Sequence, residues 1–118
     1  MGANNEEEVR YLRLLVSHPI GPVEVRVGDS LSILAVLEAQ DLPSCEVSIT
    51  YDQAYIELII GRSTVHLEGG TYREELAWTF RALALTPTSV PISMTARAGP
   101  FLKQAMVPVS VSSAERAE

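Results

Sequence analysis

The sequence predicts an all-β protein, an antiparallel β-sandwich of eight or nine short strands. Three observations lead there. Apolar and polar residues alternate with a period of two over most of the chain, the pattern of strands with one buried and one wet face. Gly, Pro and Asp breakers interrupt that alternation at short, regular intervals, as turns between strands require. The chain has 118 residues, 47 % of them apolar, which is enough for one core and too few for two.

Val9 to Val16 opens the domain as a strand, although its polar interruptions are sparse. His18-Pro19-Ile20-Gly21-Pro22 follows as an extended loop, because a residue before proline is driven out of the helical region. Val23, Val25 and Val27 then alternate with Glu24 and Arg26, and Gly28-Asp29 turns the chain. Leu31, Ile33, Ala35, Leu37 and Ala39 share the next inward face, with Ser32 and Glu38 opposite, until Asp41-Leu42-Pro43-Ser44 breaks the run. Cys45, Val47, Ile49 and Tyr51 alternate strictly with Glu46, Ser48, Thr50 and Asp52. Tyr55 to Ile60 ends at Gly61, and Thr64 to Leu67 ends at Gly69-Gly70.

The segment at about 72–84 reads two ways. Thr71-Tyr72-Arg73-Glu74 matches a capping box, and Tyr72, Leu76, Phe80 and Leu83 keep helical spacing, which would make the fold α+β. Read as a strand, Leu76, Trp78, Phe80 and Ala82 line one face. The β-formers Trp78, Thr79 and Phe80 at its centre favour the strand. Pro91 then opens Ile92, Met94 and Ala96, and Gly99-Pro100 turns into Lys103 to Ser112, where Ala105, Val107, Val109 and Val111 face inward. Pro108 cannot donate to a ladder, so this last strand is expected at a sheet edge or with a bulge. The domain is expected over 9–113, between disordered tails at 1–8 and 114–118.

Net charge is −6, from 15 acids and nine bases. Glu6, Glu7 and Glu8 lie in the first tail, and Glu115, Arg116 and Glu118 in the last. The ten acids and eight bases left between them nearly balance. Arg10, Arg13, Arg26, Arg62, Arg73, Arg81 and Arg97 are scattered rather than clustered, which argues against nucleic-acid binding. No apolar run approaches the roughly 18–20 residues of a membrane span, so membrane insertion is not expected. The acidic start MGANNEEEVRYL lacks the basic region and apolar core of a secretory signal. The compartment therefore stays open: cytoplasmic, or extracellular or cell-surface if the chain is cut from a longer exported one. Cys45 is the single cysteine, so no intrachain disulfide is possible, and its place among Val47 and Ile49 marks it as a core thiol.

Each residue type that could carry chemistry lacks its partners. His18 and His66 have no carboxylate or thiolate at ligand spacing, and no metal is expected. No Gly-x-Ser-x-Gly or phosphate-cradling glycine loop occurs. The acids Glu57, Glu68, Glu74 and Glu75 are not paired on one strand face, so no catalytic residue and no cofactor is expected. Asp29, Asp41 and Asp52 sit at turns, where calcium ligands gather but where aspartate also caps backbone N–H groups. Tyr51, Tyr55, Tyr72 and Trp78 are the rings a sugar-binding surface would need, although Tyr51 and Trp78 fall on inward faces. The opening strand carries Leu12, Leu14 and Val16 with little edge protection beyond Arg10 and Arg13, so it is the candidate partner edge for strand addition, the alternative being an ordinary strand that closes the sandwich.

Two groups of motifs resemble known bacterial modules. Val27-Gly28-Asp29-Ser30-Leu31, Asp41-Leu42-Pro43 and Ile49-Thr50-Tyr51-Asp52 through Ile56-Glu57-Leu58 resemble the opening third of cohesin-like modules. Leu76-Ala77-Trp78-Thr79-Phe80-Arg81-Ala82 through Val107-Pro108-Val109-Ser110-Val111 is similar to the back half of CARDB-type immunoglobulin-like domains. Gln53 stands where the cohesin pattern favours Pro, and Thr86 to Val90 lacks the usual turn glycine. The resemblance implies an immunoglobulin-like sandwich, and no motif here reports the surface on which dockerin binding depends. The expected function is a non-catalytic protein-interaction or spacer module of a bacterial surface or secreted protein. Two alternatives are a carbohydrate-binding module and a cytoplasmic assembly subunit that self-associates through the edge strand.

Overall fold

A computed structural model describes residues 10–113. The tails expected at 1–8 and 114–118, and Val9, lie outside the described residues. Among those described, nine strands form: β1 (Tyr11–His18), β2 (Val23–Arg26), β3 (Ser30–Leu42), β4 (Cys45–Thr50), β5 (Ile56–Ile60), β6 (Thr64–Leu67), β7 (Gly70–Ala82), β8 (Val90–Ala98) and β9 (Phe101–Ser112). They build a four-stranded sheet in the order β1-β3-β7-β5 and a five-stranded sheet in the order β2-β9-β8-β4-β6. The inward residues of the alternating runs meet between the two sheets. Ile33, Leu37, Ile56, Trp78 and Phe80 come from one sheet, and Val47, Ile92, Met94 and Val109 from the other, all fully buried. Each such side chain contributes about 1.5–3 kcal/mol by leaving water, so this layer holds the sheets together.

Residues 72–84 are not a helix. Leu76, Trp78, Phe80 and Ala82 point into the core from β7, which pairs antiparallel with β3 from Ser30↔Arg81 to Ala39↔Tyr72. The capping-box threonine serves another purpose: Asp41 N donates to Thr71 Oγ1 at 2.9 Å. That bond supports a bulge between Ala39 and Leu42, where Asp41 has φ 54°. The break expected at Asp41-Leu42-Pro43-Ser44 begins as this bulge inside β3, which continues to Leu42, and Pro43 and Ser44 then separate β3 from β4.

The chain changes sheets between β1 and β2, across the cis His18–Pro19 bond and Gly21 (φ 87°). It keeps its heading, so β2 lies parallel to β9, the one parallel pair among the described strands. This pairing corrects the expectation for Pro108. β9 is open on that side only as far as Pro108, and from Val109↔Val23 onward it is an internal strand. On its other side Pro108 faces Pro91. Neither has an N–H, so the two prolines occupy a non-hydrogen-bonding position of the ladder and no bond is lost.

Two glycines are fixed by geometry. Gly28 (φ 94°) makes the β2–β3 turn, where Asp29 N donates to Arg26 O at 2.9 Å and Arg26 N to Asp29 Oδ2 at 3.0 Å. Gly61 (φ 108°) lets the β5–β6 turn lie against Trp78: a Cβ there would sit 2.9 Å from the indole Cδ1 and 3.0 Å from Ala77 O. The same turn accepts the indole N–H, through Trp78 Nε1 to Arg62 O at 2.9 Å.

Candidate functional site

β1 is the outer strand of the four-stranded sheet. It pairs with β3 from Tyr11↔Gln40 to Val16↔Ala35, and among the described residues no strand pairs with its other edge. Leu12 points inward and is buried, while Leu14 and Val16 are half-buried at the mouth between the sheets. Of the three residues expected to meet a partner, Leu12 is a core residue that offers only its backbone. Leu14 and Val16 keep apolar surface free. Arg10 and Arg13, expected as edge protection, are neutralised: Arg10 Nε lies 3.3 Å from Asp41 Oδ2 and Arg13 Nη1 3.1 Å from Glu38 Oε1. The Arg13 guanidinium also lies 5.5 Å from the Tyr11 ring centre.

The outer face of the same sheet is patterned in rows. Register places Arg13, Glu38 and Arg73 side by side across β1, β3 and β7. Glu38 accepts a hydrogen bond from Arg13 and forms an ion pair with Arg73 at 3.7 Å, and Arg73 also reaches Glu75 at 3.4 Å. The next row holds Leu15 and Val36, then Leu34 beside Ala77, then Ser32, Thr79 and Ile60. Leu15 is 59 % exposed, Leu34 42 % and Ile60 63 %. Sequence reasoning passed over this patch, although a signal existed. From Ile33 to Leu37 the alternation lapses, so Leu34 and Val36 are apolar on the face that Ser32 and Glu38 mark as wet. Leu14-Leu15-Val16 lapses in the same way.

Of the other candidate residues, Cys45 and His66 line one shallow groove of about 300 Å³ with Glu46 and Arg97, and the two histidines do not converge. His18 lies at the end of β1 and His66 in β6 of the opposite sheet, where its Nε2 is 3.9 Å from Glu46 Oε2. Among the described residues no three of His, Cys, Asp and Glu gather as a metal site. Asp29 and Asp52 each accept from a nearby backbone N–H, Arg26 and Ala54 respectively, while Asp41 pairs with Arg10. Trp78 is 1 % exposed and Tyr51 packs edge-on to Phe80 with ring centres 5.1 Å apart, so neither ring lies open as a sugar platform. Burial pushes the Cys45 thiol above its ordinary range, against a backbone hydrogen bond from Arg97. Burial likewise raises Tyr72, whose hydroxyl has no hydrogen-bond partner. A thiol kept protonated is a poor nucleophile. Two open grooves of about 440 and 360 Å³ at the loop end share Tyr51; one holds Gln53 and Glu57, the other Asp52 and Ser93. Neither is lined by a histidine or a cysteine.

No family model and no curated protein sequence matches the chain. Solved structures do match. A chimeric titin Z1Z2 carrying an exogenous peptide from decorin superimposes with TM-score 0.55 at 15 % identity, over 90 % of this chain and 99 % of that one. A family 123 glycoside hydrolase from Clostridium perfringens gives 0.57 at 12 % identity, over 87 % of this chain and 28 % of the hydrolase chain. A chain of the CaDoc0917–CaCohA2 complex gives 0.52 at 13 % identity, over 86 % and 100 %. At such identities the likeness concerns the fold, and it agrees with the sheet order and core described above: the chain is an all-β, immunoglobulin-like sandwich.

Proposed function

We propose that this chain is a non-catalytic interaction module that takes up a protein partner by strand addition along β1. One observation carries the reading: the four-stranded sheet ends in an eight-residue strand with one edge unpaired among the described residues, flanked by the half-buried Leu14 and Val16. An extended peptide laid beside β1 gains the backbone hydrogen bonds of a fifth strand, and every second side chain would rest on those two residues. The core uses the bulky rings, and among the described residues no constellation for acid–base or nucleophilic work stands beside the edge; Cys45, Glu46 and His66 share a groove on the other sheet, where burial keeps the thiol protonated. A structural neighbour drawn from a two-protein complex supports an interaction role. The resemblance to cohesin-like and CARDB-type modules supports placing it on a bacterial surface or in a secreted protein, where the same rigid sandwich also serves as a spacer.

A selection of displayed random peptides against the folded chain tests this, with hydrogen exchange on each complex. Selected peptides are expected to slow exchange at Tyr11–His18 and to lose binding when Leu14→Lys places a charge at the edge. Protection confined to the loops around Tyr51 and Pro87 would show that the module binds by its loop end instead.

A further inference from the structure

The two outer faces of the sandwich differ in chemistry. Across the five-stranded sheet the outward residues of β4 and β8 are polar, Ser48, Ser93 and Thr95, while β9 presents Gln104 between the exposed and separate Leu102 and Met106. Across the middle of the four-stranded sheet they are Leu15, Val36 and the exposed Glu75 in one row and Leu34 and Ala77 in the next, bounded by the ionic row of Arg13, Glu38 and Arg73 on one side and by Ser32 and Thr79 on the other. An apolar centre within a polar rim is the anatomy of a contact surface.

The occupant follows from how this face complements itself. We propose that it is the contact between two copies of this chain, related by a two-fold axis running along the strands between β3 and β7. Such an axis sets each β3 residue over the β7 residue of the second copy that shares its register. Leu34 then meets Ala77, large against small, and Glu38 meets Arg73, acid against base, each contact occurring twice. Sheets packed face to face cross at roughly 30°, which displaces the row next to the crossing by a distance an arginine can span. Val36 lies opposite Glu75, whose carboxylate already leans to Arg73 at 3.4 Å and so leaves the apolar centre. A foreign partner would need no such pairing of the face with its own two-fold image. The dimer uses the sheet face and leaves the β1 edge free, so it stands or falls separately from strand addition.

Sedimentation velocity with light scattering, over a wide concentration range, tests the proposal. The wild-type chain is expected at twice the monomer mass, and Leu34→Glu is expected to weaken association by about a hundredfold. Ser93→Glu on the opposite face and Leu14→Lys at the edge should leave the dimer unchanged, with circular dichroism showing that each variant folds. Charge sorting gives the sharper test. Glu38→Arg makes positions 38 and 73 both basic, and Arg73→Glu makes both acidic, so each variant alone should be monomeric. Mixed, the two should form a heterodimer visible by native mass spectrometry. A wild-type chain that stays monomeric throughout would overturn the proposal. So would a dimer indifferent to Leu34→Glu, a dimer lost with Leu14→Lys, or charge variants that remain apart when mixed.

Discussion

Replacing Gly61 by alanine probes the joint between the β5–β6 turn and the central tryptophan. At φ 108° a non-glycine residue is strained whatever space surrounds it, which costs about 1–3 kcal/mol. Here space is also lacking, because the new methyl would sit 2.9 Å from Trp78 Cδ1, 3.0 Å from Ala77 O and 3.4 Å from Trp78 Cα. Two of those atoms are backbone, and the third belongs to an indole pinned between sheets, with its N–H bonded to Arg62 O. Relief therefore requires the turn to lift, which adds an overpacking cost of about 1–3 kcal/mol. The expected loss is about 2–6 kcal/mol in total, large beside a domain stability of about 5–15 kcal/mol. Gly21→Ala supplies the control, since it shares positive φ (87°) but has nothing within 4 Å of its Cβ position, so it should cost only the backbone share. Urea unfolding followed by the fluorescence of Trp78, the chain's single tryptophan, measures both. Equal midpoints for the two alanine variants would refute the close approach of turn and indole.

Further outcomes follow from single groups. Tyr72→Phe removes a buried hydroxyl that has no partner, so stability should hold or rise by about 1 kcal/mol in urea unfolding. Thr71→Val removes the acceptor for Asp41 N, and the same assay should show a loss of about 0.5–1.5 kcal/mol, since water can reach the freed donor at the exposed β3 bulge. Burial raises both Cys45 and Tyr72 in the folded chain, so the unfolded chain releases these protons first on the alkaline side. Their contribution to stability is whole below the unfolded thiol value of about 8.5 and is lost as pH climbs through the higher folded values. Urea midpoints should therefore fall between pH 8 and pH 10, and Cys45→Ala should flatten the early part of that fall.

Much of the sandwich was legible because burial writes itself into the chain at period two. Cys45, Val47 and Ile49 against Glu46, Ser48 and Thr50 is unambiguous, and those residues form β4 with the thiol in the core. The stretch at 72–84 was ambiguous for a geometric reason. Residues spaced by four, such as Tyr72, Leu76 and Phe80, share a face on a helix and on a strand alike. What separated the two was Trp78 midway between Leu76 and Phe80, buried on the same side, where a helix would turn it away. Pairing was not legible, because it depends on contacts distant in sequence. Nothing near Pro108 announces that β2 will cross sheets to lie beside Val109, nor does Asp41 announce a bulge held by Thr71. The candidate surface was half legible. The apolar character of β1 was legible in its composition, but the face beside it is assembled from Leu15, Leu34 and Ala77 on three strands, and only the register brings them together.

Residue-resolved hydrogen exchange of the isolated chain bears most directly on a rigid sandwich whose β1 edge is open among the described residues. Amides of β3, β7 and β8 should exchange slowest, while in β1 alternate amides, those turned away from β3, should exchange within the dead time of the experiment. Uniform protection along Tyr11–His18 without any partner present, or rapid exchange through Leu76–Ala82, would contradict it.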